Sequence, residues 1–108
     1  MKTIFVKDFS KFPGPRYSHL GAFSGEEFRD TVLIPQLEKD EVVSINFDGV
    51  FGYGSSFLEE AFGGLVRKGL DIKKIESLKN NLLSTDPTIK KEVTQYLNDA
   101  LAEAKRGR

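Results

Sequence analysis

The chain has 108 residues, 39% of them hydrophobic and 30% charged, the proportions of one folded soluble domain. Its 16 basic residues balance 16 acidic ones, so bulk charge gives no reason to expect nucleic acid or an anionic membrane as a partner. Cysteine is absent, which excludes disulfides and thiolate metal sites.

The apolar run Ile4-Phe5-Val6, ended by Lys7 and Asp8, is too short for a signal-peptide core or a membrane span. It predicts a first strand over residues 3–7 and a cytoplasmic protein. Residues 9–22 carry Pro13, Gly14, Pro15 and Gly21 and read as a long loop with room for a short strand around residues 16–19. Ser24-Gly25-Glu26-Glu27 is a capping box, flanked by Phe23 and Phe28 at staple positions. Phe28, Val32, Leu33 and Leu37 then share one helical face. Pro35 predicts a kink or an early end, because it removes a hydrogen bond and presses on the Thr31 carbonyl.

Residues 41–48 form the clearest strand: Val43, Ile45 and Phe47 alternate with Ser44, Asn46 and Asp48. The small polar alternates predict that the second face is partly covered too. A second helix begins at Ser55 or Ser56, where Ser56-Phe57-Leu58-Glu59 makes another capping box. Its apolar face is Phe57, Leu58, Ala61, Phe62, Leu65 and Val66. Gly63 and Gly64 each cost about 1 kcal/mol within a helix, so a neighbouring backbone or a partner is expected to approach closely there; a homodimer is one such arrangement. Arg67-Lys68-Gly69 ends this helix. Residues 71–78 predict a short amphipathic helix and residues 81–84 a last strand. Thr85-Asp86-Pro87 opens the final helix, whose buried stripe is Ile89, Val93, Tyr96, Leu97, Ala100 and Leu101. The basic run 104–108 reads as a frayed helix end. Helices alternating with strands imply crossovers over a sheet with parallel pairs.

Two blocks, Phe23-Ser24-Gly25-Glu26-Glu27-Phe28-Arg29 and the run from Asp48-Gly49-Val50-Phe51-Gly52-Tyr53-Gly54-Ser55-Ser56 to Leu65, resemble the bacterial STAS-like domain family of unknown function. STAS stands for sulphate transporter and anti-sigma factor antagonist, and the resemblance runs over nearly the whole chain. It implies an α/β fold: one STAS-like domain over residues 1–108, a mixed sheet of about four strands covered by about three to four helices. In proper STAS domains a Gly-Val pair at a strand end precedes an Asp-Ser-Ser-Gly turn. That turn opens a helix, and a partner kinase phosphorylates a serine in it. Gly49-Val50 and Ser55-Ser56 stand at the corresponding spacing, with Gly54 in place of the aspartate and Phe57 in place of the glycine. The resemblance therefore implies a regulatory interaction module like an anti-sigma factor antagonist. Its implied partner is a histidine-kinase-like ATPase, and Ser55 and Ser56 are its phosphorylation candidates.

The residues themselves point to the same turn. A strand's carboxyl end meets a helix N-terminus there, whose free amides favour an anion. Gly52 and Gly54 let the backbone come close to a visitor, and Tyr53 between them suits an interface anchor. Phe57, Glu59 and Glu60 on the following helix complete the predicted partner-binding set of Gly52, Tyr53, Gly54, Ser55, Ser56, Phe57, Glu59 and Glu60. Arg16 is read either as a loop anchor paired with Asp48 or as a contact for bound phosphate. Two rivals use the same corner: a nucleotide- or phosphate-binding sensor, and a small hydrolase built on Ser55 and His19 with Asp48. The glycine spacing fits neither a dinucleotide fingerprint nor a P-loop, and no nucleophile elbow is formed. With His19 the only histidine, no metal cluster can be built. No cofactor is expected, and no catalytic constellation has assignable roles.

Overall fold

The computed structural model describes residues 2–40 and 42–107. Met1, Glu41 and Arg108, which bound the predicted domain and open the predicted strand 41–48, lie outside them. Strand β1 (Lys2–Phe5) is followed at once by a single helical turn, α1 (Val6–Phe9). A loop then leads to α2, residues 25–39, and to strand β2 (Val43–Asn46). Helix α3 covers residues 55–67, α4 is Ile72–Lys79, β3 is Leu82–Leu83 and α5 is Pro87–Arg106.

Among the described residues the sheet has three strands in the order β1-β2-β3, and both pairings are parallel. The expected mixed sheet of about four strands is thus corrected to three parallel ones, under five helices rather than three or four. The reason lies in residues 16–19. The Arg16 carbonyl accepts from the Glu26 amide (3.0 Å), and the Ser18 amide donates to the Glu26 carboxylate (2.9 Å). Groups that a strand would offer to a ladder are spent on the start of α2, and Ser18–Leu20 closes into a tight turn. On β2, Val43, Ser44 and Ile45 are all buried. Successive side chains point to opposite faces, so both faces are covered, as the small alternates predict.

The start of α2 follows its sequence signal closely. The Glu27 amide donates to Ser24 Oγ (2.9 Å) and the Phe23 amide to the Glu27 carboxylate (3.2 Å), the two reciprocal bonds of a capping box. Phe23 and Phe28 both pack on Phe9, with ring centroids 5.5 and 5.0 Å away. Pro35 does not end the helix. Residues Arg29–Leu33 form a wide π-type turn, in which the Ile34 amide reaches back to the Arg29 carbonyl. The extra residue in that turn moves the backbone away from the proline ring.

Helix α3 carries a second π-type stretch at Glu59–Gly63. It ends as expected: Gly69 sits at φ 85°, its amide donates to Val66 (3.0 Å), and the Leu70 amide donates to Leu65 (3.1 Å), a Schellman closure. Asp86 caps α5 by accepting from the Thr88 amide (2.9 Å), with Pro87 at the first helical position. The core is threaded by a row of aromatic rings, with Phe28 touching Phe57 and Phe62, and Phe62 touching Phe47.

Helices α2 and α3 approach closely at Gly25, where an added Cβ would stand 2.5 Å from the Phe57 carbonyl oxygen. Around Gly52 the same addition meets nothing within 4 Å. Gly25→Ala is therefore expected to cost about 1–3 kcal/mol by forcing the helices apart, and Gly52→Ala to stay within about 0.5 kcal/mol of wild type. Urea unfolding of the two variants measures both values.

Candidate functional site

Beyond β2 the chain crosses the carboxyl ends of the strands. Asp48 accepts from the amide and the hydroxyl of Thr85 (2.9 and 3.0 Å), which ties the turn to the start of α5. Gly49 takes φ 85°, a left-handed conformation that suits glycine. Tyr53 folds inward: its hydroxyl donates to the Phe47 carbonyl (2.7 Å) and its ring meets Phe47 edge-on. Burial, with a smaller effect from the Asp48 charge, pushes the Tyr53 phenol well above its ordinary value. Tyr53 is therefore a buttress under the corner more than an outward anchor.

Gly54 caps α3 without a side-chain bond, and Ser55 is the first helical residue. The predicted Ser56 capping box does not form, because the helix starts one residue earlier, with Gly54 as its cap and Ser56 already within the first turn. Gly52, Gly54, Ser55 and Ser56 are all exposed. Neither serine hydroxyl makes a hydrogen bond of normal geometry among the described residues; that of Ser55 points toward the Tyr96 phenol, which donates to Glu92 (2.6 Å). Phe57 is 1% exposed and belongs to the core. It cannot meet a partner without unpacking, which corrects its predicted place on the interface. Glu60 is buried as well.

Both glutamates belong to a cluster with three arginines at the crossing of α2 and α3. Arg29 Nη1 donates to Glu60 Oε2, and its Nε to Asp30 (2.8 Å). Arg16 reaches Glu59 (2.5 Å) and Glu60 (3.2 Å). Arg67 pairs with the same two carboxylates at 2.8 and 3.2 Å. Arg16 is thus a loop anchor, but its partners are Glu59 and Glu60, not Asp48. The glycines Gly63 and Gly64 make room for this cluster: a Cβ at Gly64 would stand 2.6 Å from Arg29 Nη1. The close approach predicted there is intramolecular, and those glycines do not form a dimer surface.

Sequence reasoning missed Arg29 and Arg67. One signal was present: Arg29 falls on a helical stripe with Gly25 and Leu33, four residues either way, where a charge needs a buried partner. It also missed Phe12 and Phe51, which are 69% and 76% exposed and stack face to face with centroids 4.6 Å apart. The Phe51 amide donates to the Lys11 carbonyl (2.9 Å), joining the loops that follow β1 and β2. Nothing local in either loop announces that pairing. His19 is exposed and stacks on Tyr17; no contact joins it to Ser55 or Asp48. Among the described residues no group of three or more His, Cys, Asp or Glu side chains is placed to hold a metal ion, and no helix is long and apolar enough to cross a membrane.

A family model, described as STAS-like domain of unknown function (DUF4325), matches residues 24–82. The chain belongs to this family. The STAS-like match runs from the cap Ser24 to Leu82 in β3 and so contains the α2–α3 crossing and the turn before α3. It leaves out β1, the Pro-Gly-Pro-Arg loop and α5, which narrows the resemblance read over nearly the whole chain. No curated protein and no solved structure matches the chain significantly.

The charge cluster makes two predictions for this STAS-like domain. Removing Arg29 leaves the buried Glu60 Oε2 without its donor while Oε1 keeps Arg16 and Arg67, so Arg29→Met is expected to cost about 1–3 kcal/mol in urea unfolding. Arg67, then Arg16, hold the Glu59 carboxyl below the usual carboxylate range against the opposing effect of burial. A depressed folded value gives stability that is present above about pH 4.3, the ordinary glutamate value, and is lost as pH falls through the folded one. Arg67→Ala is expected to flatten that acid loss in melting temperatures recorded between neutral pH and pH 3.

Proposed function

We propose that this STAS-like domain is a regulatory protein-interaction module that docks on a histidine-kinase-like ATPase through the corner 52–56 and is switched by phosphorylation of Ser55 or Ser56. One observation carries the reading: two exposed serines, neither with a hydroxyl hydrogen bond of normal geometry among the described residues, open α3 on a corner braced from beneath. A phosphoryl group there adds about −1.5 to −2 charges at the positive end of a helix. It leaves the domain folded and changes only the face a partner sees. The stacked Phe12–Phe51 rings lie on the loops beside this corner and add an exposed apolar element of the kind that anchors interfaces. The module carries no catalysis of its own.

The phosphate-sensor alternative has less support. Arg16, the arginine read as a phosphate contact, is neutralised by Glu59 and Glu60. The depression beside the turn, about 280 Å³, is lined by Asp48 and Asp86 and by no basic residue. Such a surface repels a free anion.

Incubation with Mg-ATP and a serine kinase of the histidine-kinase-like class is expected to add one phosphate, located by mass spectrometry at Ser55 or Ser56. Ser55→Asp/Ser56→Asp is expected to weaken binding to that ATPase about tenfold, or about 1.4 kcal/mol, with an unchanged melting temperature. An unmodified protein whose binding ignores these substitutions removes the proposal.

A further inference from the structure

The sheet has an open edge at β1. In the ladder with β2 the Lys2 amide donates to the Val42 carbonyl (3.1 Å), and Lys2 and Ile4 face β2. In a parallel ladder alternate residues turn their backbone groups the other way. The Thr3 N–H and C=O and the Phe5 N–H therefore point outward, and they have no partner among the described residues. Beside this edge runs a groove of about 430 Å³, bordered by β1, by Phe9 and Phe23, and by the face of α2 that carries Glu27 and Val32. Phe5 and Phe23 are 38% and 45% exposed there. Phe23 holds φ 57°, a position seldom occupied by a bulky side chain. Its carbonyl accepts from the Gly14 amide (2.8 Å), so the loop keeps that ring over the groove.

Unpaired strand groups beside an apolar groove call for an extended chain. Two charges lining the groove point to which one; Lys7, beside them, holds its ammonium over the Phe5 ring, 5.7 Å from the centroid. Lys2 stands at the start of β1 and Asp8 just past its end; both line the groove, and neither has an ion-pair partner among the described residues. An antiparallel copy of the same edge sets Lys2 of each molecule toward Asp8 of the other, whereas a parallel copy sets like charges side by side. We propose that two copies of this chain pair through β1 in antiparallel register about a two-fold axis at Ile4. The Phe5 N–H of each then donates to the Thr3 carbonyl of the other, and the two sheets join into one of six strands. Phe5 faces Thr3 of the second copy and loses its exposure. This interaction is separate from the serine corner, at a different place on the sheet.

Sedimentation velocity over about a hundredfold range of concentration tests the pairing by mass action. The full chain is expected to reach twice its 12.1 kDa mass. Thr3→Pro replaces an outward N–H by a ring, a change that edge strands tolerate, and is expected to raise the dissociation constant about tenfold or more with an unchanged circular dichroism spectrum. If Thr3→Pro disturbs folding, charge reversal decides instead. Lys2→Glu and Asp8→Lys are each expected to weaken the dimer, and the double variant to restore it. A chain monomeric throughout, a dimer untouched by a folded Thr3→Pro, or a double variant no better than either single one overturns the proposal.

Discussion

The contact between Arg29 and Glu60 is the constraint around which the rest is arranged. A guanidinium and a carboxylate, 3% and 7% exposed, are too costly to bury apart. Their meeting fixes how α2 crosses α3. Gly25 and Gly64 are glycines because the crossing leaves no room for a Cβ. Each helix also widens by one π-type turn, and each turn begins at a member of the cluster, Arg29 in α2 and Glu59 in α3. Such turns insert a residue into a helix and re-aim the side chains around it. The same carboxylates take Arg16 from the loop and Arg67 from the end of α3. One junction thus sets a helix crossing, a loop position and the direction in which α3 presents its first residues.

The corner at the start of α3 benefits from this rigidity. Tyr53 braces it from below through Phe47, Asp48 ties it to Thr85, and Glu59, one turn into the helix, is locked by two arginines. Only the serines and the glycines beside them are left exposed. A surface supported in this way can accept a change of charge without reorganising the domain, which is what a reversible modification requires of its scaffold.

How much of this was legible in the sequence follows from the range of each interaction. Ser24 with Glu27, Asp86 with Thr88 and Gly69 after Lys68 act within four residues, and their signals translated directly into helix ends. The boundaries that failed were those on which a distant residue acts. Glu59 was read as the second half of a cap for Ser56, but the helix is capped at Gly54 and Glu59 pairs with Arg16 and Arg67. Pro35 predicts a kink or an early end, and the helix instead runs on through a wide turn at Arg29–Leu33. A strand at residues 16–19 agreed with local composition, but the amino end of α2 takes its backbone groups. Gly52, Gly54, Ser55 and Ser56 are exposed, but the inward Tyr53 and buried Phe57 depend on ring packing across the core, and the Phe12–Phe51 stack joins loops nearly forty positions apart. That order of success is the one expected when secondary structure is local and sites are tertiary.

The brevity of β3 has a consequence for assembly. With only Leu82 and Leu83 in the ladder, the far margin of the sheet offers almost no template for another strand. A sheet able to grow on one side alone closes on itself after a single addition, since a two-fold contact uses up the same surface on both molecules. With so short a β3, a strand added at β1 would leave no second margin of comparable length from which the sheet could extend further.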